Sequence, residues 1–153
     1  LTDIVEVSCS SGFTCARAVD GAVSCWGTNT FGELCDGATT NQDQPVATLL
    51  PLGVLSVASQ TGSSHGCALL PDMSVSCWGW NWHGQLGDGT TTDSSSPVTV
   101  TGLTGISKIS AAYSTSCAIQ GRHTLWCWGA NSGGQLGDGT TIDRPSPVEV
   151  SGF

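Results

Sequence analysis

The feature that most constrains the fold of this chain is a threefold internal repeat. The stretches SCWGTNTFGELCDGATTNQDQPV, SCWGWNWHGQLGDGTTTDSSSPV and WCWGANSGGQLGDGTTIDRPSPV begin at Ser24, Ser76 and Trp126. The segments just before them, FTCARAVDGAV, HGCALLPDMSV and TSCAIQGRHTL, align in the same way. Self-similarity at a period of about 50 residues indicates one structural unit that packs against copies of itself. We therefore divide the chain into the units 1–53, 54–105 and 106–153.

Each unit contains short apolar stretches separated by turn residues, a pattern that predicts β-strands. A first strand (IVEVS, LSVAS or ISKIS) precedes two strands that are joined by the turns VDG, PDM or GRH. A last strand is predicted to begin at Pro45, Pro97 or Pro147, because proline is tolerated at the start of a strand. Four strands in each unit are typical of a β-propeller blade. We predict an all-β chain of three four-stranded blades, which is half or part of a propeller.

The eight cysteines predict disulfides rather than a metal site. Two cysteines lie ten residues apart in every unit, on strands where an antiparallel hairpin places them opposite each other. Zinc ligands are usually two to four residues apart, so the spacing disfavours zinc. The predicted bridges are Cys15–Cys25, Cys67–Cys77 and Cys117–Cys127. Disulfides imply an oxidising compartment, so we expect an extracellular protein, either secreted or at the cell surface.

Two further cysteines, Cys9 and Cys35, occur only in the first unit. The third unit has Ala111 in place of Cys9, and the other units have glycine in place of Cys35. Because both exceptions fall in one unit, we predict a fourth bridge, Cys9–Cys35. The alternatives are two free thiols or an intermolecular link.

The repeated unit resembles the repeat of the regulator of chromosome condensation family. CWGxNxxGQLGDGTT is among the most specific stretches of that family, and the resemblance covers residues 4–152. It implies a four-stranded blade of a propeller that most often has seven blades. Members include a guanine nucleotide exchange factor on chromatin, a secreted bacterial inhibitor of β-lactamase and many extracellular proteins. The cysteines make this chain look like the last group.

Aromatic residues at the end of each hairpin and in the loop that follows it divide into two classes. Trp26, Trp78 and Trp128 recur in every unit, and recurrence favours a role in the core. A second set does not recur as a set and is therefore our candidate binding site for a protein or a glycan, since aromatic side chains dominate interface hot spots. The alternative is packing within the chain or between subunits. The candidate binding residues are Phe31, Trp80, Trp82 and His83.

Composition and motifs argue against several other functions. The net charge is −8 with four basic residues, which disfavours nucleic acid, and no apolar run is long enough for membrane insertion. We expect no cofactor, because no lysine follows the glycines as in a phosphate loop. The DGTT turns could suggest calcium but lack the ligand pattern of an EF-hand. His65 after Ser63 and Ser64 has Phe13 and Thr115 as counterparts, so we expect no enzymatic activity.

Closure of the propeller raises the question of assembly. Propellers have four to eight blades, so three blades cannot close a ring and leave two blade faces bare. We expect a homo-oligomer, either a six-bladed ring of two copies or a filament, or coverage by the remaining blades of a parent chain. The chain does not start with Met and shows no signal peptide, so we interpret it as a mature or excised product.

Overall fold

The structure is a computed structural model that describes residues 2–151. It consists of three four-stranded antiparallel sheets, each with its strands in chain order. The first sheet contains β1 (Ile4–Cys9), β2 (Phe13–Ala18), β3 (Val23–Gly27) and β4 (Gln42–Ala47). The second contains β5 (Ser56–Ala58), β6 (His65–Leu69), β7 (Val75–Gly79) and β8 (Ser94–Thr99). The third contains β9 (Ile106–Ala112), β10 (Thr115–Gln120), β11 (Thr124–Gly129) and β12 (Arg144–Glu149). The predicted fold class, all-β with three four-stranded units, is confirmed.

The central hairpin of each sheet has the register that the cysteine spacing predicts. Cys15 lies opposite Cys25, and the equivalent pairs are in register in the other two sheets. All three bridges form, with Cα atoms 4.0–4.1 Å apart. Gly21 closes the first hairpin at φ +80°, the left-handed conformation that a three-residue turn needs. Each bridge closes a short loop, which is worth about 2–3 kcal/mol of stability in the chain-entropy model.

The fourth predicted bridge, Cys9–Cys35, does not form, and both thiols are free. Cys9 pairs with Thr14 across β1 and β2, whereas Ser8 pairs with Cys15. Because neighbouring residues of a strand point to opposite sides, Cys9 lies on the side of the sheet away from the disulfide. Cys35 is buried on the disulfide side, in the core that the first sheet shares with the second. The body of the sheet therefore separates the two sulfur atoms.

The outer strands begin earlier than the sequence predicts. β4, β8 and β12 each start three residues before the proline, so Pro45, Pro97 and Pro147 lie inside the strand. The ladder to the neighbouring strand shifts register between Cys25 and Gly27, and it does so at the same place in the other sheets. At such an irregularity on an edge strand, the ladder does not require a backbone N–H from every residue. Proline, which has no N–H, is therefore tolerated there.

The cores lie between the sheets, because each sheet has two different faces. We call the side that carries the disulfide the disulfide face, and the side that carries the recurring tryptophan the indole face. The disulfide face of the first sheet packs on the indole face of the second, and the second packs on the third in the same way.

The described residues include no helix long and apolar enough to cross a membrane.

Candidate functional site

The loop between the third and fourth strands of each sheet is held by a buried asparagine. Asn81 accepts a hydrogen bond from the Leu86 N–H (2.9 Å) and donates its amide to the carbonyls of Thr90 and Thr92. Asn29 and Asn131 make the equivalent bonds in their own units, and all three asparagines are fully buried. A buried side chain with every polar group satisfied fixes the loop. The repeated part of the loop is therefore scaffold, as its recurrence predicts.

The aspartate of each DGTT turn belongs to the same scaffold. Asp88 accepts hydrogen bonds from the N–H and the hydroxyl of Thr90, at 2.9 Å and 2.8 Å. Asp138 makes the same bonds to Thr140 and is also paired with Arg144 at 2.8 Å. The Thr140 hydroxyl is the largest of the interactions that lower the pKa of Asp138 well below its ordinary range. Turn amides and hydroxyls thus occupy these carboxylates.

The four candidate binding residues come from two loops, and three of their rings lie in a row. The ring centroids of Phe31 and Trp80 are 6.0 Å apart, and those of Trp80 and His83 are 5.7 Å apart with the rings edge to face. Both separations lie in the range of favourable aromatic pairs. Trp82, in the same loop as Trp80, is 73% exposed. We call these four side chains the aromatic ridge.

Carboxylates flank the ridge. His83 Nδ1 lies 2.7 Å from a carboxylate oxygen of Asp143, which directly precedes β12 in the third unit, and the other oxygen of Asp143 accepts the N–H of Asn131. Partial burial raises the pKa of Asp143, but the hydrogen bonds from His83 and Asn131 outweigh it and hold the pKa below its usual value. A carboxylate oxygen of Asp93 likewise accepts the N–H of Asn81, the residue between Trp80 and Trp82 in the chain. Through the contact of His83 with Asp143, the ridge links the first two units to the third.

Burial raises the pKa of Glu33, next to the ridge, with a smaller contribution from the charge of Asp93. Its carboxylate accepts the N–H of Phe31 at 2.8 Å. The other units have glutamine here, and Gln85 accepts the N–H of His83 in the same way. The Gln85 amide nitrogen, by contrast, is buried without a partner within the described residues.

The Ser–His pair that could suggest catalysis is buried between the second and third sheets. The imidazole of His65 lies 2.8 Å from the Ser63 hydroxyl and 2.8 Å from the Ser116 hydroxyl, and the residue is fully buried. Burial lowers the pKa of His65 to about 4, so the ring is neutral at pH 7. Ser116 in turn donates to the carbonyl of Gln85. These contacts join two sheets and leave the pair without access to solvent.

A concave groove of about 590 Å³ follows the first strands of the three sheets and is lined by residues including Ser8, Gln60 and Tyr113. It has no counterpart in our sequence-based predictions. The side chains come from strands and turns of ordinary composition, so no local pattern marks them before the three strands are placed side by side.

The contact between neighbouring sheets is built the same way twice. The indole N–H of Trp78 donates to the carbonyl of Glu33 at 2.8 Å, and that of Trp128 donates to the carbonyl of Gln85 at 2.9 Å. Both rings are 1% exposed. Trp78 and Trp128 thus each tie their own sheet to the loop of the preceding sheet.

Within residues 2–151, the first and third sheets each have one face that no other sheet covers. On the indole face of the first, Trp26 is only half-buried, Cys9 is exposed, and Val5 and Val7 are 54% and 57% exposed. On the disulfide face of the third, an apolar groove of about 200 Å³ is lined by side chains including Cys117, Ile119 and Leu125. The sequence predicts two bare faces but not the residues that lie on them. Comparison of each unit with the repeats whose equivalent face is covered would have identified these residues.

Comparison with known proteins places these sheets in a family. Residues 74–119 and 122–153 match the regulator of chromosome condensation (RCC1) repeat, and residues 4–33 match a second RCC1 repeat pattern. The human E3 ubiquitin-protein ligase HERC2 is 36% identical over 102 residues, which are 67% of this chain and 2% of HERC2. The ultraviolet-B receptor UVR8 of Arabidopsis thaliana is 31% identical over 102 residues, which are 67% of this chain and 23% of UVR8. The chain thus spans a small part of these relatives.

Solved structures agree on the fold. Yeast RCC1 (Prp20), in its crystal structure with Kap60, superimposes with a TM-score of 0.86 over 100% of this chain and 38% of the yeast chain, at 18% identity. The three sheets are therefore blades of an RCC1-type β-propeller, arranged as neighbouring blades are in that protein. The chain belongs to the RCC1 repeat family.

Proposed function

We propose that this chain is an extracellular, non-enzymatic assembly subunit, whose two open blade faces are covered by other copies of the same chain. The observation that carries the proposal is the pair of uncovered faces. The equivalent faces of the other blades are covered by a neighbouring blade and form a core there. On the two open faces, apolar side chains at these positions are partly or fully exposed. Apolar side chains exposed together on one face are typical of an interaction site.

The extracellular part of the proposal rests on the cysteines. Three bridges recur at one position of the repeat, and the first two lie in the cores between blades. Bridges of this kind persist in oxidising compartments and are rare in the cytosol. The charge of −8 is compatible with a soluble protein outside the cell and disfavours a role on chromatin.

Light scattering on the purified, non-reduced chain tests assembly directly. At micromolar concentration we expect a mass that is a multiple of 15.6 kDa and that falls on dilution. Far-UV circular dichroism on the same sample reports whether the chain is folded. A folded species that stays at 15.6 kDa throughout this range would refute the proposal.

A second candidate function is recognition of a protein or a glycan at the aromatic ridge. The specific observation in its favour is the exposure of Trp82, beside Trp80, which is held between Phe31 and His83. A large exposed indole on a rigid loop supplies contact area at a small cost in conformational entropy. In the similar yeast structure, RCC1 is bound to a protein, Kap60.

The test of this candidate replaces Trp82 with Ser, the residue that the third unit has at this position. The fold should be unchanged, because the side chain is exposed. Binding to a printed glycan array should be lost for any sugar that the wild-type protein retains. The matched control is Tyr113→Ser, which removes a similarly exposed ring far along the chain. Equal binding by the wild-type protein and the Trp82→Ser variant would refute a role for the ridge in binding these sugars.

A further inference from the structure

We propose that copies of this chain join head to tail, with the indole face of the first blade of one copy on the disulfide face of the third blade of the next. The register is the one that the chain already uses twice between its own blades. This inference rests on the proposed assembly function and specifies the contact. A closed ring of two copies and an open filament both use this same contact.

The open faces carry the separate donor and acceptor of a hydrogen bond that the covered contacts form. The repeat alignment places Trp26 with Trp78 and Trp128, and Gln135 with Glu33 and Gln85. Trp78 and Trp128 donate to the carbonyls of Glu33 and Gln85, respectively. Within residues 2–151, the Trp26 indole N–H has no acceptor and the Gln135 carbonyl no donor, and Gln135 is exposed. A second copy in the same register brings this donor and this acceptor together.

A backbone hydrogen bond repeats the argument at the outer strand. The N–H of Gly37 donates to the carbonyl of Ser95 in the next blade at 3.0 Å, and that of Gly89 donates to the carbonyl of Pro145 at 2.9 Å. The equivalent donor at the open end of the third blade is Gly139. The equivalent acceptor on the first blade is Asp43, in an exposed part of β4.

At each contact between blades, the backbone at a glycine of one blade lies very close to the backbone of the next blade's outer strand. A Cβ atom on Gly32 would collide with the backbone of Ser95, and one on Gly84 would collide with the backbone of Pro145. The third unit also has glycine at this position, Gly134, but there a Cβ atom would meet only the Thr140 carbonyl, at 3.9 Å. Among the described residues, the space next to Gly134 is thus open, and Asp43 of a docked copy would fill it.

Charge favours this pairing of unlike faces. Residues 1–53 carry six carboxylates and one arginine, whereas residues 106–153 carry three carboxylates and three of the four basic side chains. One of these, Lys108, lines the groove on the open face of the third blade. Pairing two first blades would bring two acidic surfaces together, whereas head-to-tail pairing brings an acidic blade against a neutral one that has cationic side chains.

The test uses two glycines that differ only in what a docked copy would place beside them. Gly134 and Gly139 have φ values of +74° and +79°, so alanine puts a similar backbone strain on the chain at either position. In the docked register, Gly134→Ala collides with backbone, as it would at Gly32 and Gly84. Gly139→Ala does not, because a Cβ on its counterpart Gly89 meets only a side-chain oxygen, at 3.6 Å. We expect Gly134→Ala to raise the dissociation constant of assembly at least tenfold and Gly139→Ala to change it less than threefold.

Mixing two variants tests the polarity of the contact and does not depend on a single substitution. Gly134→Ala blocks only the tail of a copy, and Trp26→Ala blocks only the head. Each alone should assemble weakly, whereas an equimolar mixture should recover one intact contact and form heterodimers in native mass spectrometry.

The outcomes separate this inference from the proposed function. If the wild-type chain assembles but Gly134→Ala assembles equally well, or the mixture gives no heterodimer, the contact is not head to tail and assembly itself stands. If the wild-type chain is a folded monomer, the other blades of a longer propeller are the remaining partners, and both proposals fail.

Discussion

The three recurring tryptophans provide a test within one molecule of how neighbouring blades stabilise each other. We predict that replacement by phenylalanine costs most at Trp78, less at Trp128 and least at Trp26. Phenylalanine keeps an apolar ring but removes the indole N–H and part of the side-chain volume. The three positions are equivalent in the repeat, so intrinsic strand propensity is the same and the neighbouring blade makes the difference.

The expected magnitudes follow from the hydrogen bonds. Within residues 2–151, the Glu33 carbonyl accepts a hydrogen bond from Trp78 alone. Trp78→Phe leaves this carbonyl buried and unpaired, which costs about 1–3 kcal/mol, and the smaller ring adds about 1 kcal/mol of lost packing. The Gln85 carbonyl also accepts the Ser116 hydroxyl, so Trp128→Phe should cost about 1–2 kcal/mol. Trp26 is half-buried and donates to no described residue, so Trp26→Phe should cost less than about 1 kcal/mol.

The assay is urea unfolding of the non-reduced variants, followed by far-UV circular dichroism and by the fluorescence of the remaining tryptophans. Coincidence of the two signals shows whether the blades unfold together, which repeat proteins do not always do. The protein concentration must be below that of assembly, since a docked copy would cover Trp26. Equal losses of unfolding free energy at Trp26 and Trp78 would refute the reasoning.

Two further predictions concern the thiols and a buried histidine. In the native, non-reduced chain, a maleimide should modify only the exposed Cys9, because burial raises the pKa of the Cys35 thiol to about 12. A second equivalent should react after unfolding. Fewer than two reactive thiols in the unfolded, non-reduced chain would contradict this prediction and favour a Cys9–Cys35 bridge. The unfolded chain binds a proton at His65 from about pH 6.5 downwards, whereas the fold, which lowers the pKa to about 4, excludes it. The free energy of unfolding should therefore fall between these pH values, by about 3 kcal/mol at most. His65→Phe, the residue of the first unit, should remove this part of the pH dependence, whereas His123→Ala, at an exposed position, should leave it in place.

Much of the fold could be predicted because the repeat supplies three readings of each position. The ten-residue cysteine spacing and the turns fix the hairpin register, and that register is confirmed in all three sheets. The prediction of a Cys9–Cys35 bridge rests only on the absence of both cysteines from the other units, and it takes no account of the face on which each residue lies. The alternation of β1 contains the missing information, since Ser8, and not Cys9, lies opposite Cys15.

The aromatic ridge could be predicted only in part. Comparison of the repeats separates Trp80 and Trp82 from the scaffold, but both lie in an irregular loop where no period tells which ring is covered. The structure shows that Trp80 is held between Phe31 and His83, while Trp82 is exposed. The pairing of His83 with Asp143 joins residues of different blades, and such a contact depends on the angle between blades, which the sequence does not specify.

The open faces have a chemical character that bears on assembly. Repeat arrays that end in solvent have terminal repeats with a polar outer face, because a bare interface would be insoluble. Neither open face has this polar character. The open face of the first blade has half-buried Trp26 and exposed Val5 and Val7, and that of the third blade has an apolar groove around Cys117. Substituting polar residues for these side chains would cost the chain little if solvent covered them. Their apolar character is therefore physical support for a partner that covers both faces.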